Sequence, residues 1–271
     1  MSPPIRLVLS DMDGTLLRRD HSLAPAVVEA VSKLQAAGVT FSLASSRPPR
    51  AMLEQARLLG VAAPIAGFNG GNLVYPDGRL LEAHTIAPQA VRVALAFFAD
   101  YPVDVWLFAD GDWLLKNRNA AHLDTERHAL GYDAVQVEDF EPYLDRVDKI
   151  VATTADHALL EQLEAAIQPL LGGQAHAARS QLYYLDITAL EADKGKALTR
   201  LARHLGVPLE ETAVLGDGHN DVAMFEVAGL AIAMGQASAD VREAADVITD
   251  SNEQDGVATA IERFILPRVL R

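Results

Sequence analysis

The strongest constraint on the fold is a repeated order of short apolar runs and amphipathic stretches, interrupted once in mid-chain. Ile5-Arg6-Leu7-Val8-Leu9 ends in Ser10-Asp11, as expected of a buried strand emerging at its carboxyl end. A helix follows, with Ser22 or a neighbour as its cap, Pro25 in its first turn, Val27, Val31 and Leu34 on one face, and Gly38 after its end. Val39 to Ala44 reads as the next strand, Ala51 to Leu59 as the next helix and Pro64 to Phe68 as a third strand. Such alternation implies a parallel, doubly wound sheet. Pro76-Asp77-Gly78 then marks a hairpin between Leu73 to Tyr75 and Leu80 to Glu82.

From about His84 the order changes. Helices over Pro88 to Ala99, Asp124 to Leu130 and His157 to Leu171 are interleaved with strands at Val103 to Phe108, Trp113 to Lys116 and Lys149 to Thr153. A strand pair running through Leu182 to Ile187 closes this stretch, and Gly172-Gly173 reads as a turn within it. After Lys194 the alternation resumes: helix to Leu205, strand Ala213 to Leu215, helix Val222 to Val227, strand Leu230 to Ala233, helix Ala239 to Ala245, strand Val247 to Ile248, helix Val257 to Phe264. The expectation is an α/β protein: a doubly wound, Rossmann-like parallel-sheet core, residues 1–83 and 186–271, with an inserted α+β cap domain over 84–185.

At 271 residues the chain suits one large α/β domain or two unequal ones. It contains no cysteine, which excludes disulfides, thiolate metal sites and cysteine nucleophiles and fits a reducing compartment. No apolar run is long enough to span a membrane, and MSPPIRLVLSDMDG becomes charged too early for a signal peptide, so a cytoplasmic protein is expected. The formal net charge of -14 disfavours nucleic acid and anionic membranes as partners. A small anionic substrate stays compatible, because a bound cation and one or two local Lys or Arg reverse the field inside a single cleft.

In open parallel sheets, ligands bind beyond the carboxyl ends of the strands, where Asp11, Ser45 and Asp217 fall in this reading. Asp11 and Asp13 stand two apart at the end of the first strand, followed by Gly14-Thr15. Lys194 opens a helix in Asp193-Lys194-Gly195-Lys196, and Gly216-Asp217-Gly218-His219-Asn220-Asp221 ends a later strand. Taken singly, Asp-x-Asp-Gly-Thr also fits a turn, Ser45 a helix cap and Lys194 a solvated charge. Gly-Asp-Gly-x-Asn-Asp is harder to read as structure alone. Carboxylates without histidine pairs or thiolates favour a hard ion such as Mg²⁺ over Zn²⁺. That ion offsets the repulsion between an aspartate and a phosphate dianion, so a carboxylate nucleophile becomes plausible.

Together and in this order, these segments resemble the haloacid dehalogenase-like phosphatase superfamily, and within it the Cof-like branch, over nearly the whole chain. The first motif is matched by Asp11-Met12-Asp13-Gly14-Thr15-Leu16 and the second by Ser45 in Ala44-Ser45-Ser46-Arg47-Pro48. The third is matched by Lys194 and the fourth by Gly216 to Asp221. The long insert, Asn69-Gly70-Gly71 and Ser251-Asn252-Glu253-Gln254-Asp255-Gly256-Val257-Ala258 point to the branch. One departure is Ser46, where the branch commonly has Gly.

The resemblance implies Asp11 as nucleophile and Mg²⁺ ligand, with the Asp13 carbonyl and Asp217 as further ligands and Asp221 binding directly or through water. It implies that Ser45, Lys194 and Asn220 bind the transferring phosphoryl group, with Arg47, Asn69 and Gly70 as further phosphate- or substrate-binding residues. Asp13 would protonate the leaving oxygen and later deprotonate water. His219 occupies the variable position of the fourth motif and reads as an exposed loop residue. Trp113, Lys116, Arg118, Arg179 and Tyr183 are candidate substrate contacts of the cap. The expected activity is Mg²⁺-dependent hydrolysis of a small phosphorylated metabolite, a sugar phosphate or a phosphorylated cofactor. The alternatives are a phosphomutase, a phospho-accepting signalling domain and a catalytically silent binding protein. Neither one particular substrate nor the oligomeric state is legible.

Overall fold

The computed structural model describes residues 3–269. The chain begins with strand β1 (Leu7–Asp11), helix α1 (Pro25–Ala36), β2 (Thr40–Ala44), α2 (Leu53–Leu58), β3 (Ile65–Gly67), β4 (Asn72–Val74) and β5 (Leu80–Ala83). It continues through α3 (Pro88–Phe98), β6 (Asp104–Ala109), β7 (Asp112–Leu115), α4 (Leu123–Leu130), β8 (Val135–Gln136), β9 (Val147–Thr153), α5 (His157–Leu170), β10 (His176–Gln181) and β11 (Tyr184–Thr188). It ends with α6 (Lys194–Leu205), β12 (Thr212–Gly216), α7 (His219–Phe225), β13 (Leu230–Ala233), α8 (Ala239–Glu243), β14 (Val247–Ile248) and α9 (Gly256–Ala260). These elements form two units: Ala83–Ala192, and the described residues on either side of it.

In the first unit one sheet runs β14-β13-β12-β1-β2-β3-β4-β5. Its strands from β14 to β3 are parallel, and β4 turns back antiparallel to β3. Strand β1 is buried along its whole length because both of its faces are covered, which is why it reads as a continuous apolar run. Val8, Phe41 and Leu43 pack with Val31, Leu34 and Ile261 on one face. Leu7, Leu9 and Val214 pack with Leu198, Leu201 and Met224 on the other. The hairpin signal is realised by a turn in which the Tyr75 N–H bonds the Arg79 carbonyl. Ser22 does not cap α1: Ala24 holds that place without a side-chain bond, and Pro25 occupies the first turn.

The second unit is a six-stranded sheet, β10-β11-β9-β6-β7-β8, antiparallel except where β8 joins β7. Ala90, Val91, Phe98, Leu160 and Ile167 of its helices cover Leu107, Ile150 and Leu185 on one sheet face. It is thus α+β with a sheet of its own. Its boundary lies later than position 186, because Tyr184–Thr188 pairs with β9 and so belongs to this sheet. Strand β10 also starts earlier than the strand pair expected around Leu182, since HAARSQ carries almost no apolar signal yet pairs along β11. No helix among the described residues is long and apolar enough to cross a membrane.

Candidate active site

Parallel pairing brings the motifs together. Strand β1 lies between β2 and β12, with Asp11 opposite Ala44 and Ser10 opposite Leu215. Ser45 and Gly216-Asp217 therefore leave the sheet on either side of Asp11, at the strand ends where the sequence placed a ligand. Directly after Asp11 the chain turns on the Met12 carbonyl, which accepts from the Thr15 and Leu17 N–H groups. Gly14 takes φ +83°, and a Cβ there would lie 2.3 Å from the Asp217 carboxylate. The bare glycine lets Asp217 approach, and the Thr15 hydroxyl donates to it at 2.7 Å.

Lys194 is the first residue of α6, whose N-terminus is capped by the Asp193 carboxylate on the Lys196 N–H at 2.8 Å. Its ammonium is completely buried and donates to Asp11 Oδ1 at 2.5 Å and Asp221 Oδ1 at 2.6 Å. The amine reaches that far in because α6 lies hard against α7: a Cβ at Gly195 would meet the Ala223 carbonyl oxygen at 2.2 Å. Asp221 is the third residue of α7, and its Oδ2 accepts the Asp217 and Gly218 N–H groups at 2.9 Å each. That helix starts at His219 rather than Val222, so the motif's polar residues form its first turn.

One oxygen from each of Asp11, Asp217 and Asp221 falls within 4.8 Å of the others. Burial pushes the Asp11 carboxyl well above its ordinary range; the Asp221 and Asp217 charges add to that push, and Lys194 opposes it. Asp217 is raised by burial and by Asp221, with the Thr15 and Gln236 hydrogen bonds working the other way. Burial alone would lower Lys194, but the attraction of Asp11 and Asp221 outweighs it and holds the ammonium charged. Three carboxylates thus crowd one cation, and their ionised forms are disfavoured in the absence of a further positive charge. Three carboxylates without a nitrogen or sulfur donor fit a hard divalent ion, which would favour their ionised forms.

Ser45 is buried, with its hydroxyl accepting the Arg47 N–H at 3.1 Å. The Asn69 N–H donates to the Ser45 carbonyl at 2.7 Å, and the Asn69 side-chain oxygen accepts from Asn220 Nδ2 at 2.9 Å. Asn69 itself has φ 55°. Gly70 packs on Ala197 of α6, and its carbonyl accepts from Arg200. Ser45, Asn69, Asn220, Lys194 and the three carboxylates therefore belong to one neighbourhood. Ser46 does not have a positive φ, so the loop does not need the glycine common at that position.

Arg47, expected to bind phosphate or substrate, is paired with a neighbouring carboxylate. Its guanidinium grips the Asp13 carboxylate with both arms, Nε to Oδ2 at 2.7 Å and an amino group to Oδ1 at 2.5 Å. His21, in a left-handed conformation at φ 61°, adds its Nδ1 at 3.4 Å from the same Asp13 oxygen. His219 stands at the surface beside Asp240, away from the carboxylates' mutual contacts. Sequence reading missed Thr15 as a partner of Asp217, although it lies inside the first motif, and gave no sign of His21 or Gln236.

A model of the haloacid dehalogenase-like hydrolase family matches residues 8–261. The chain is 33% identical over 232 residues to an HMP-PP phosphatase of Cronobacter sakazakii, covering 86% of this chain and 85% of that protein. Among solved structures, a haloacid dehalogenase-like hydrolase from Bacteroides thetaiotaomicron superposes with a TM-score of 0.88 at 27% identity, covering 96% of this chain and 99% of the other. A sugar phosphatase of subclass IIB, BT4131, superposes with a TM-score of 0.83 at 25% identity, covering 96% and 98%.

Proposed function

Since the chain belongs to the haloacid dehalogenase-like hydrolase family and is a phosphatase, we propose that it hydrolyses a small phosphorylated metabolite through an aspartyl-phosphate on Asp11, with Mg²⁺ as cofactor. The observation that carries this reading is the buried Lys194 ammonium held between Asp11 and Asp221, with Asp217 beside them at the same strand ends. The likeness to an HMP-PP phosphatase and to a sugar phosphatase supports a small phosphorylated metabolite as substrate.

Asp11, Asp217 and the Asp13 carbonyl would hold the ion; Asp221, whose oxygens already serve Lys194 and two N–H groups, would join through water. The ion would supply charge neutralisation, so that one anion can meet another. Asp11 attacks phosphorus, and the bond to the leaving oxygen breaks. Lys194, Ser45 and Asn220 bind the phosphoryl oxygens, with the Asn69 amide orienting Asn220. Asp13 gives its proton to the leaving oxygen; then, as the carboxylate, it takes one from the water that attacks the aspartyl-phosphate. Arg47 fixes the plane of that carboxylate.

Asp11→Asn should abolish turnover and phosphoenzyme formation in a folded protein, once deamidation back to Asp is excluded. Asp13→Asn should slow phosphoenzyme formation far more with an alkyl phosphate than with a nitrophenyl phosphate, whose leaving group departs without a proton. Near-normal turnover in Asp11→Asn would remove Asp11 as nucleophile. Equal losses on both esters would remove Asp13 as the acid.

A further inference from the structure

The loop that carries Asp13 has little regular pairing of its own. It contains Gly14 at positive φ, and its only ladder contacts among the described residues are isolated bridges of Asp13 with Leu17 and Leu17 with Leu23. Two of its carbonyls are tied instead to side chains from the other end of the chain. Gln236, just beyond β13, donates its amide to the Gly14 carbonyl at 2.5 Å. The Gln236 side-chain oxygen accepts the Asn252 N–H at 3.1 Å, and the buried Asn252 amide donates to the Leu17 carbonyl at 2.9 Å. Farther along, Glu253 accepts the Arg19 N–H at 2.8 Å and Asp255 holds Arg18 at 2.8 Å. The stretch Ser251 to Ala258, marked by sequence but without a chemical role, is thus the strap of the catalytic loop.

We propose that Gln236 and Asn252 are positioning residues for Asp13: through the Gly14 and Leu17 carbonyls they fix the turn that aims the Asp13 carboxylate. This rests on Asp13 being the general acid and base. A purely stabilising role fits Gln236 poorly, because its side chain lies in an exposed position, where such hydrogen bonds add little to stability. Aim is another matter, since a misplacement of about 1 Å costs on the order of a hundredfold in rate. The span also needs the full length of glutamine, because one amide must reach Gly14 and Asn252 together. A displaced Gly14 would in addition press on Asp217, which it abuts.

The test uses the full-length protein with Gln236→Met, which keeps the volume and removes the hydrogen bonds to Gly14, Asn252 and Asp217, and Asn252→Ala, which frees the Leu17 carbonyl and leaves Asp217 untouched. Single-turnover rates are compared for an alkyl phosphate and nitrophenyl phosphate, with melting temperature as the control for folding and Asp13→Asn as reference. The alkyl rate of Gln236→Met should fall by about ten- to a hundredfold, and the aryl rate by several-fold less. The aryl-to-alkyl ratio then rises toward that of Asp13→Asn, and Asn252→Ala moves it the same way. A raised ratio in Asp13→Asn with unchanged ratios in both strap variants overturns the positioning role alone. Unchanged ratios in all three overturn it together with the role of Asp13.

Discussion

Replacing Lys194 by methionine tests the electrostatic account of the site most directly. The variant keeps an unbranched chain of similar length and deletes a fully buried ammonium that contacts two carboxylates, at 2.5 Å and 2.6 Å. Removing one partner of a buried ion pair costs about 3–5 kcal/mol, because the remaining charge stays buried without compensation. At roughly 2–4 °C per kcal/mol for a chain of this size, the melting temperature in chelator at pH 7.5 should fall by about 6–20 °C.

The pH dependence supplies the sharper check. Burial already raises Asp11, and Lys194 is the group that opposes the rise, so the variant's Asp11 titrates higher still. A carboxyl whose folded pKa exceeds its unfolded value, about 3.9, binds its proton more tightly in the folded state. Its penalty is therefore absent below the unfolded value and grows as pH rises through the folded one. The gap between the native protein and Lys194→Met should be small near pH 4.5 and widest at pH 7.5, as read by thermal melts across that range. An equal gap at both pH values, or melting within a degree of the native protein at pH 7.5, would refute the claim that Lys194 compensates buried carboxylate charge.

Millimolar Mg²⁺ should raise the melting temperature more at pH 7.5 than at pH 5, because Asp11 and Asp217 are raised in the metal-free protein and the ion binds their charged forms; an equal or larger gain at pH 5 would contradict this. Gly195→Ala should cost about 1–3 kcal/mol and lower turnover, since its methyl group would drive the Ala223 carbonyl and the first turn of α6 apart. Unchanged melting and turnover would show that the contact of α6 with α7 does not set Lys194.

What was legible in the sequence follows from which forces act locally. Leu7 to Asp11 could be read as a strand because both sheet faces demand apolar side chains, and a short run of them ending in acids suits a buried strand that emerges at its polar end. The pattern predicts the start of α7 at Val222 because His219, Asn220 and Asp221 are polar and carry no helical periodicity; the helix begins at His219 because Asp221 caps it. Strand β10 escapes the pattern for the same reason: HAARSQ has no apolar face of its own and is held by β11. The strap was beyond reach, since Gln236 and Asn252 meet Gly14 and Leu17 only after the sheet has brought opposite ends of the chain together.

Arg47 shows where residue type stops being enough. A guanidinium two residues after Ser45 is chemically as good a partner for a phosphoryl group as for a carboxylate, so the choice lies in direction alone. That direction is set by the loop: the Arg47 N–H bonds the Ser45 hydroxyl, and its carbonyl accepts the Phe68 N–H at 2.8 Å. Pinned at both ends, the backbone delivers the side chain to Asp13. A guanidinium that satisfies both oxygens of Asp13 has those two arms committed, so the phosphoryl oxygens fall to Lys194, Ser45 and Asn220 in the proposed reaction. In that reaction the arginine would contribute to the aim of the acid, the role proposed for Gln236 and Asn252, reached from the opposite side of the same loop.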